Sequence, residues 1–229
     1  MRYLGGKSRI AKHIVEQITK KTTSKEVWEP FCGGAAVTLE FARKGFKVHA
    51  SDTFPGLCNM HKASCNGFRL PMGCTDEMRR EAKYKTDPFA IALRFGLGFG
   101  GNYSSGIARP PDLYATQFNR HCERLTEHSE SIEWKECDYR AVSPTPGNIL
   151  YCDPPYKGTT EYEIKGFDHD IFWDWVRSQT LRGVHVFMSE FSATLDIECV
   201  WSLERKVGID NRHKCQMHVE KLFFLGGKL

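Results

Sequence analysis

The sequence predicts an α/β protein: a mostly parallel sheet with an antiparallel hairpin at one edge and a small inserted helical lobe. Three observations carry this reading. Residues 26–52 run strand, glycine turn, helix, strand, acid, which is the opening of a nucleotide-binding α/β unit. Asn148-Ile149-Leu150-Tyr151-Cys152 is nearly all apolar, as a central strand covered on both faces must be. Residues 198–207 and 218–225 fit a closing antiparallel pair.

The elements follow in order. Ile10, Ala11, Ile14, Val15 and Ile18 mark one face of a helix over residues 8–20. Residues 26–31 read as a short strand ended by Cys32-Gly33-Gly34, residues 35–44 as a helix, and residues 46–51 as a second strand ending at Asp52. Between about residues 53 and 130 strand alternation disappears and arginine, lysine, glycine and aromatic residues dominate. Helices are expected there over 57–66, 88–94 and 115–128, with a flexible or tightly turning loop at the glycines of 95–102. Strands return at 131–137 and 148–152, then a helix at 167–180 and a buried strand at 184–189. The division expected is therefore one α/β domain from residues 1–52 and 131–229, interrupted by a helical lobe at 53–130.

Composition narrows the class. With 41% hydrophobic and 26% charged residues, the chain reads as an ordinary globular protein. No apolar run approaches the roughly 20 residues that span a bilayer, and residues 1–7 lack a signal-peptide core, so no membrane role is expected and a cytoplasmic setting is. Nine cysteines, an odd number without a CxxC pair, read as reduced thiols. Cys58, His61, Cys65 and Cys74 lack the tight spacing of a structural zinc site; a helix with small buried thiols is preferred, and no metal is expected. A net charge of +4 permits a polyanionic partner without proving one.

Ligands of open α/β sheets bind outside the carboxyl ends of the strands. Three features fall at such ends: Phe31-Cys32-Gly33-Gly34, Asp52, and Asp153-Pro154-Pro155-Tyr156. Gly33 and Gly34 let backbone pass close to a ligand. Asp52 is placed to accept ribose hydroxyls, although an acidic helix cap would look the same. The last segment says most. Its prolines fix the backbone and remove two N–H donors. Asp153 and the Pro154 carbonyl can each accept one hydrogen of a planar amine, and Tyr156 can stack on the ring that carries it.

These motifs, with Tyr3-Leu4-Gly5-Gly6-Lys7 before them, resemble the Dam-type (alpha-class) DNA adenine-N6 methyltransferases of bacteria and phages over nearly the whole chain. The resemblance implies a Rossmann-like S-adenosylmethionine-dependent methyltransferase fold, with the 53–130 lobe recognising double-stranded DNA. It implies that Tyr3, Lys7, Phe31, Cys32, Gly33, Gly34, Asp52, Asp138, Tyr139 and Asp153 contact S-adenosylmethionine. Asp52 would take the ribose, and Asp138 would lie near the cofactor's adenine. Asp153, Pro154, Pro155 and Tyr156 would hold a flipped-out target adenine.

Methyl transfer would be a direct in-line displacement with no cysteine nucleophile, so positioning supplies most of the catalysis. Arg69, Arg79, Arg80, Lys83, Lys85, Arg94 and Arg109 are candidates for phosphate contacts, and Asn102 and Tyr103 for approach to bases. Arg212 and Lys214 stand in a basic stretch resembling a backbone clamp. A monomer in a bacterial cell or phage-infected host is expected. The sequence names no partner nuclease, and it does not separate a restriction–modification role from phage counter-defence. Cytosine N4, adenine in RNA, or a catalytically silent nucleic-acid-binding module remain the alternatives.

Overall fold

The structure is a computed structural model that describes residues 1, 3, 5–156, 167–190, 197–207 and 216–226, with backbone alone at 205–207 and 216–218. Its seven strands are β1 (Glu26–Glu29), β2 (Lys47–Asp52), β3 (Ile132–Glu136), β4 (Ile149–Cys152), β5 (His185–Glu190), β6 (Glu198–Val207) and β7 (Gln216–Leu225). They form one sheet in the order β3-β2-β1-β4-β5-β7-β6. β2 pairs with β3 and β4 with β5 in parallel, whereas β7 runs antiparallel to both β5 and β6. The helices are α1 (Ala11–Lys21), α2 (Ala36–Arg43), α3 (Leu57–Cys65), α4 (Asp76–Glu81), α5 (Pro88–Gly96), α6 (Pro111–Glu127) and α7 (His169–Leu181).

Residues group into two compact units, 1–15 with 28–142, and 16–27 with 143–229. Residues 53–130 fall within the first of these, where the start of α3 is tied to β3. The Gly56 amide donates to the Glu136 carboxylate at 2.8 Å, and the Cys58 thiol to the Lys135 carbonyl at 3.3 Å. Within this first unit Leu57, Met60, Ile91, Leu93, Phe95, Phe118 and Cys122 are almost fully buried together. Side chains of that size each contribute roughly 1.5–3 kcal/mol on burial, enough to hold α3, α5 and α6 as one layer.

Local chemistry explains the boundaries. Asp87 caps α5 by accepting from the Phe89 and Ala90 amides, and Pro88 fits the first turn. Asp168 does the same for α7 through the amides of Asp170 and Ile171. Pro111 starts α6 four residues before the start expected from apolar spacing, since proline is pre-set for a first helical turn. α4 has no counterpart in the expected elements. It is short, capped by the Thr75 side chain accepting from the Met78 amide, with Asp76 and Glu77 in its first turn.

In the second unit all four residues of β4 are buried, and Tyr151 donates to or accepts from Ser189 at 2.7 Å. The hairpin of β6 and β7 carries a register shift between Cys199 and Trp201. Among the described residues no helix is long and apolar enough to cross a membrane.

Candidate active site

In the first unit the glycine turn leaves β1 and enters α2. Gly33 has φ +44°, and Ala35, the residue before α2, has φ +57° while fully buried. A non-glycine residue in this region costs of order 1 kcal/mol or more and persists only where surroundings impose it. Those surroundings are visible. The Gly33 amide donates to Asp52 at 2.9 Å, and the Gly33 carbonyl accepts from His61 Nε2 at 2.8 Å. The other Asp52 oxygen accepts from the Phe54 amide at 2.9 Å. The carboxylate thus keeps acceptor capacity for a further donor. Burial raises the Asp52 pKa above its ordinary value, opposed by the amides of Phe54, Gly33 and Thr53.

The glycines have a second reason that spacing could not show. A Cβ on Gly33 would lie 2.9 Å from the Tyr3 ring, and one on Gly34 would lie 2.7 Å from the Tyr3 Cβ. Tyr3 itself therefore takes the close approach that was expected of a ligand. The Tyr3 ring also stacks on Phe95 at 4.9 Å. Lys7 is buried, with its ammonium 3.1 Å from the Gly5 carbonyl. Phe31 stacks on Tyr139 at 5.6 Å. Asp138 accepts from the Arg140 side chain and amide, which holds its carboxyl below the usual range. Cys32 is buried, and its hydrogen bond with Cys58 followed by burial pushes the thiol up, the reverse of an activated nucleophile.

His61 is the residue that sequence reasoning missed. It was weighed only as a metal ligand, yet it is fully buried on α3, donates to the Gly33 carbonyl and stacks on Trp134 at 4.7 Å. Cys58 and Cys65, also on α3, are buried beside it in sequence.

In the second unit Asp153 and Tyr156 are half-buried and Pro154 is buried, directly after β4. The Tyr156 hydroxyl donates to Glu220 on β7 at 3.0 Å. Burial, with the charges of Asp153 and Glu220, lifts the phenol well above its ordinary pKa, so Tyr156 stays a neutral ring anchored at its hydroxyl. Glu220 is a carboxylate within an apolar strand, a signal the sequence offered and which was not read.

Several residues expected to contact DNA are held by the protein itself. Arg94 is buried and lies 3.3 Å over the Tyr103 ring, which also packs on Phe54 and Phe95, so neither side chain is presented as expected. Arg79 is buried, and Arg69 donates to the Ser64 and Phe68 carbonyls and to Thr126. Asn102 is half-buried with its side-chain oxygen taken by the Ser104 amide. Arg80, Lys83, Lys85 and Arg109 are at the surface, Arg109 paired with Asp76 at 2.6 Å. Arg212 and Lys214 lie outside the described residues.

The strand order, with β7 antiparallel between β5 and β6, is the Rossmann-like fold of S-adenosylmethionine-dependent methyltransferases. Residues 3–88 match the family described as D12 class N6 adenine-specific DNA methyltransferase. No curated protein sequence matches. Among solved structures, the chain is similar to a Pyrococcus horikoshii protein proposed to be an RNA methyltransferase, at 10% identity and TM-score 0.47, covering 96% of this chain and 85% of that one. It is similar to the Pyrococcus abyssi tRNA (uracil-54, C5)-methyltransferase solved with S-adenosyl-L-homocysteine, at 12% identity, TM-score 0.44, and coverage of 94% and 38%. An RNA methyltransferase of Salinibacter ruber is similar at 5% identity, TM-score 0.41, and coverage of 96% and 93%. Likeness at this level bears on neither substrate nor activity.

Proposed function

We propose that this protein transfers a methyl group from S-adenosylmethionine to the N6 amino group of adenine in DNA. The observation that carries the proposal is Asp153-Pro154-Pro155-Tyr156 at the carboxyl end of the fully buried β4. The D12 match over residues 3–88 supports it from a separate part of the chain.

The residues present suit such a cofactor. Asp52 is a half-buried carboxylate with acceptor capacity left for a ribose hydroxyl. The stacked Phe31 and Tyr139 rings offer an apolar face next in sequence to the glycine turn and to Asp138. When bound, S-adenosylmethionine supplies an electrophilic methyl group on sulfonium sulfur.

The chain's own residues supply position. Asp153 and the Pro154 carbonyl accept the two amino hydrogens of adenine. With S-adenosylmethionine bound, that arrangement would favour a pyramidal nitrogen with its lone pair aimed at the methyl group. The proton leaves nitrogen during or after transfer, so Asp153 need not be a strong base. Tyr156, held by Glu220, stacks on the base ring. A base within a duplex cannot reach such groups, so the adenine is flipped out. The surface cations Arg80, Lys83, Lys85 and Arg109 hold phosphates.

The test is incubation with S-adenosylmethionine labelled on the methyl group and with unmethylated DNA or RNA of matched sequence. Incorporation into DNA is expected. Incorporation into RNA alone, or into neither, would refute the proposal.

A further inference from the structure

Arg79 stands beside Arg80 in sequence, and spacing alone marks both as surface cations. Only Arg80 is exposed. A guanidinium has five N–H donors in a rigid fork, and each one at Arg79 has a backbone carbonyl. Nε donates to Ser105 at 2.7 Å. Nη1 donates to Leu93 at 2.6 Å and to Arg94 at 2.9 Å. Nη2 donates to Asn102 at 3.3 Å and to Tyr103 at 2.8 Å. No donor remains for a phosphate.

These carbonyls belong to two places. Leu93 and Arg94 are in the last turn of α5, where carbonyls have no partner within the helix and a cation is favoured. Asn102, Tyr103 and Ser105 belong to the tight turn that follows, closed by a bridge between Gly98 and Ile107. Gly98 allows the two sets to converge: a Cβ there would lie 2.4 Å from the Asn102 carbonyl and 2.5 Å from that of Arg94. One helical turn before Arg79, Asp76 accepts from the Ile107 amide at 3.2 Å and pairs with Arg109. α4 therefore holds both sides of the segment 98–109 while the Phe99 side chain within it stays 72% exposed.

We propose that Arg79 is a positioning residue, which presets the 98–109 segment for DNA and touches no phosphate itself. The inference rests on the proposed reading of Arg109, at the end of that segment, as a phosphate contact. A segment ordered before binding loses less conformational freedom on association. Asp76 is the second tie, and acts on the far side of the turn.

Arg79→Lys separates this role from a phosphate contact. Lysine serves a phosphate as a point charge but has three donors for five carbonyls. A segment so loosened must be ordered on binding, and a loss of about tenfold in DNA affinity is expected. The expected result is a KM for DNA raised by that factor with kcat and S-adenosylmethionine affinity near wild type. Faster hydrogen exchange at the Phe99 and Ala108 amides, which close the turn, should accompany it. Asp76→Ala, at a partly exposed site, should move the same readouts in the same direction if Arg79→Lys folds poorly. Unchanged KM and unchanged exchange in these variants would overturn the proposal. So would a raised KM with unchanged exchange. A wild-type protein that transfers no methyl to DNA would instead overturn the reading beneath it, and the exchange data would still decide whether Arg79 holds the turn.

Discussion

His61 shows how one side chain links the fold to the turn it supports. Its Nε2–H holds the Gly33 carbonyl, and its Nδ1 is buried without a partner among the described residues, so the ring must stay neutral. Burial lowers its pKa from 6.5 to about 4. A folded pKa below the unfolded one means the unfolded chain takes up the proton first as pH falls. The stability His61 contributes is complete above pH 6.5 and is lost as pH drops toward about 4. The loss is about 3 kcal/mol over that window. His121 on α6 is also held well below its ordinary value, and the Met1 amine is lowered to about 5, so both act in the same sense. Denaturant unfolding at pH 7 and pH 5 should show the fall, and His61→Gln should flatten part of it. An equal slope in the variant would remove His61 from the account. At the other site, Asp153→Ala should reduce transfer by at least about a hundredfold with an unfolding midpoint near wild type. Near-normal turnover would end the proposed role of Asp153.

At the scale of elements, the glycine turn depends on Tyr3 as much as on backbone freedom. Gly34→Ala should displace the Tyr3 ring, destabilise the chain by about 1–3 kcal/mol and weaken S-adenosylmethionine binding. Because the closest clash is with the Tyr3 Cβ, adding Tyr3→Gly, which removes that atom, should recover much of the lost stability, a coupling that a double-mutant cycle measures. Additive losses would mean the turn is strained for another reason. Strand–turn–helix order was legible because apolar runs and glycines are local signals, and residues 26–52 carry both. Burial was not legible. Arg79, Arg94 and Lys7 are cations that the chain folds inward, because their partners are carbonyls and rings brought together only by the tertiary fold. α4 escaped because six residues leave little periodicity, although Thr75 before two acids marks a helix start.

For the molecule as a whole, a mostly parallel sheet with an antiparallel edge was foreseeable from an α/β opening and a closing hairpin, whereas the strand order and the ties of residues 53–130 to β3 were not. Hydrogen bonds from Gly56 and Cys58 to residues 135 and 136 decide that, and they span about eighty positions in sequence. The cations left at the surface set the expected behaviour toward DNA. Affinity should fall steeply with salt, and replacing Lys83 and Lys85 together by alanine should reduce the slope by about 2, at roughly 0.9 per phosphate contact. An unchanged slope would move the DNA grip elsewhere on the chain. The central claim concerns which atom receives the methyl group. DNA methylated by this protein should be digested to nucleosides and the labelled one identified by mass spectrometry. N6-methyladenine is the predicted product, and label on cytosine would contradict the account.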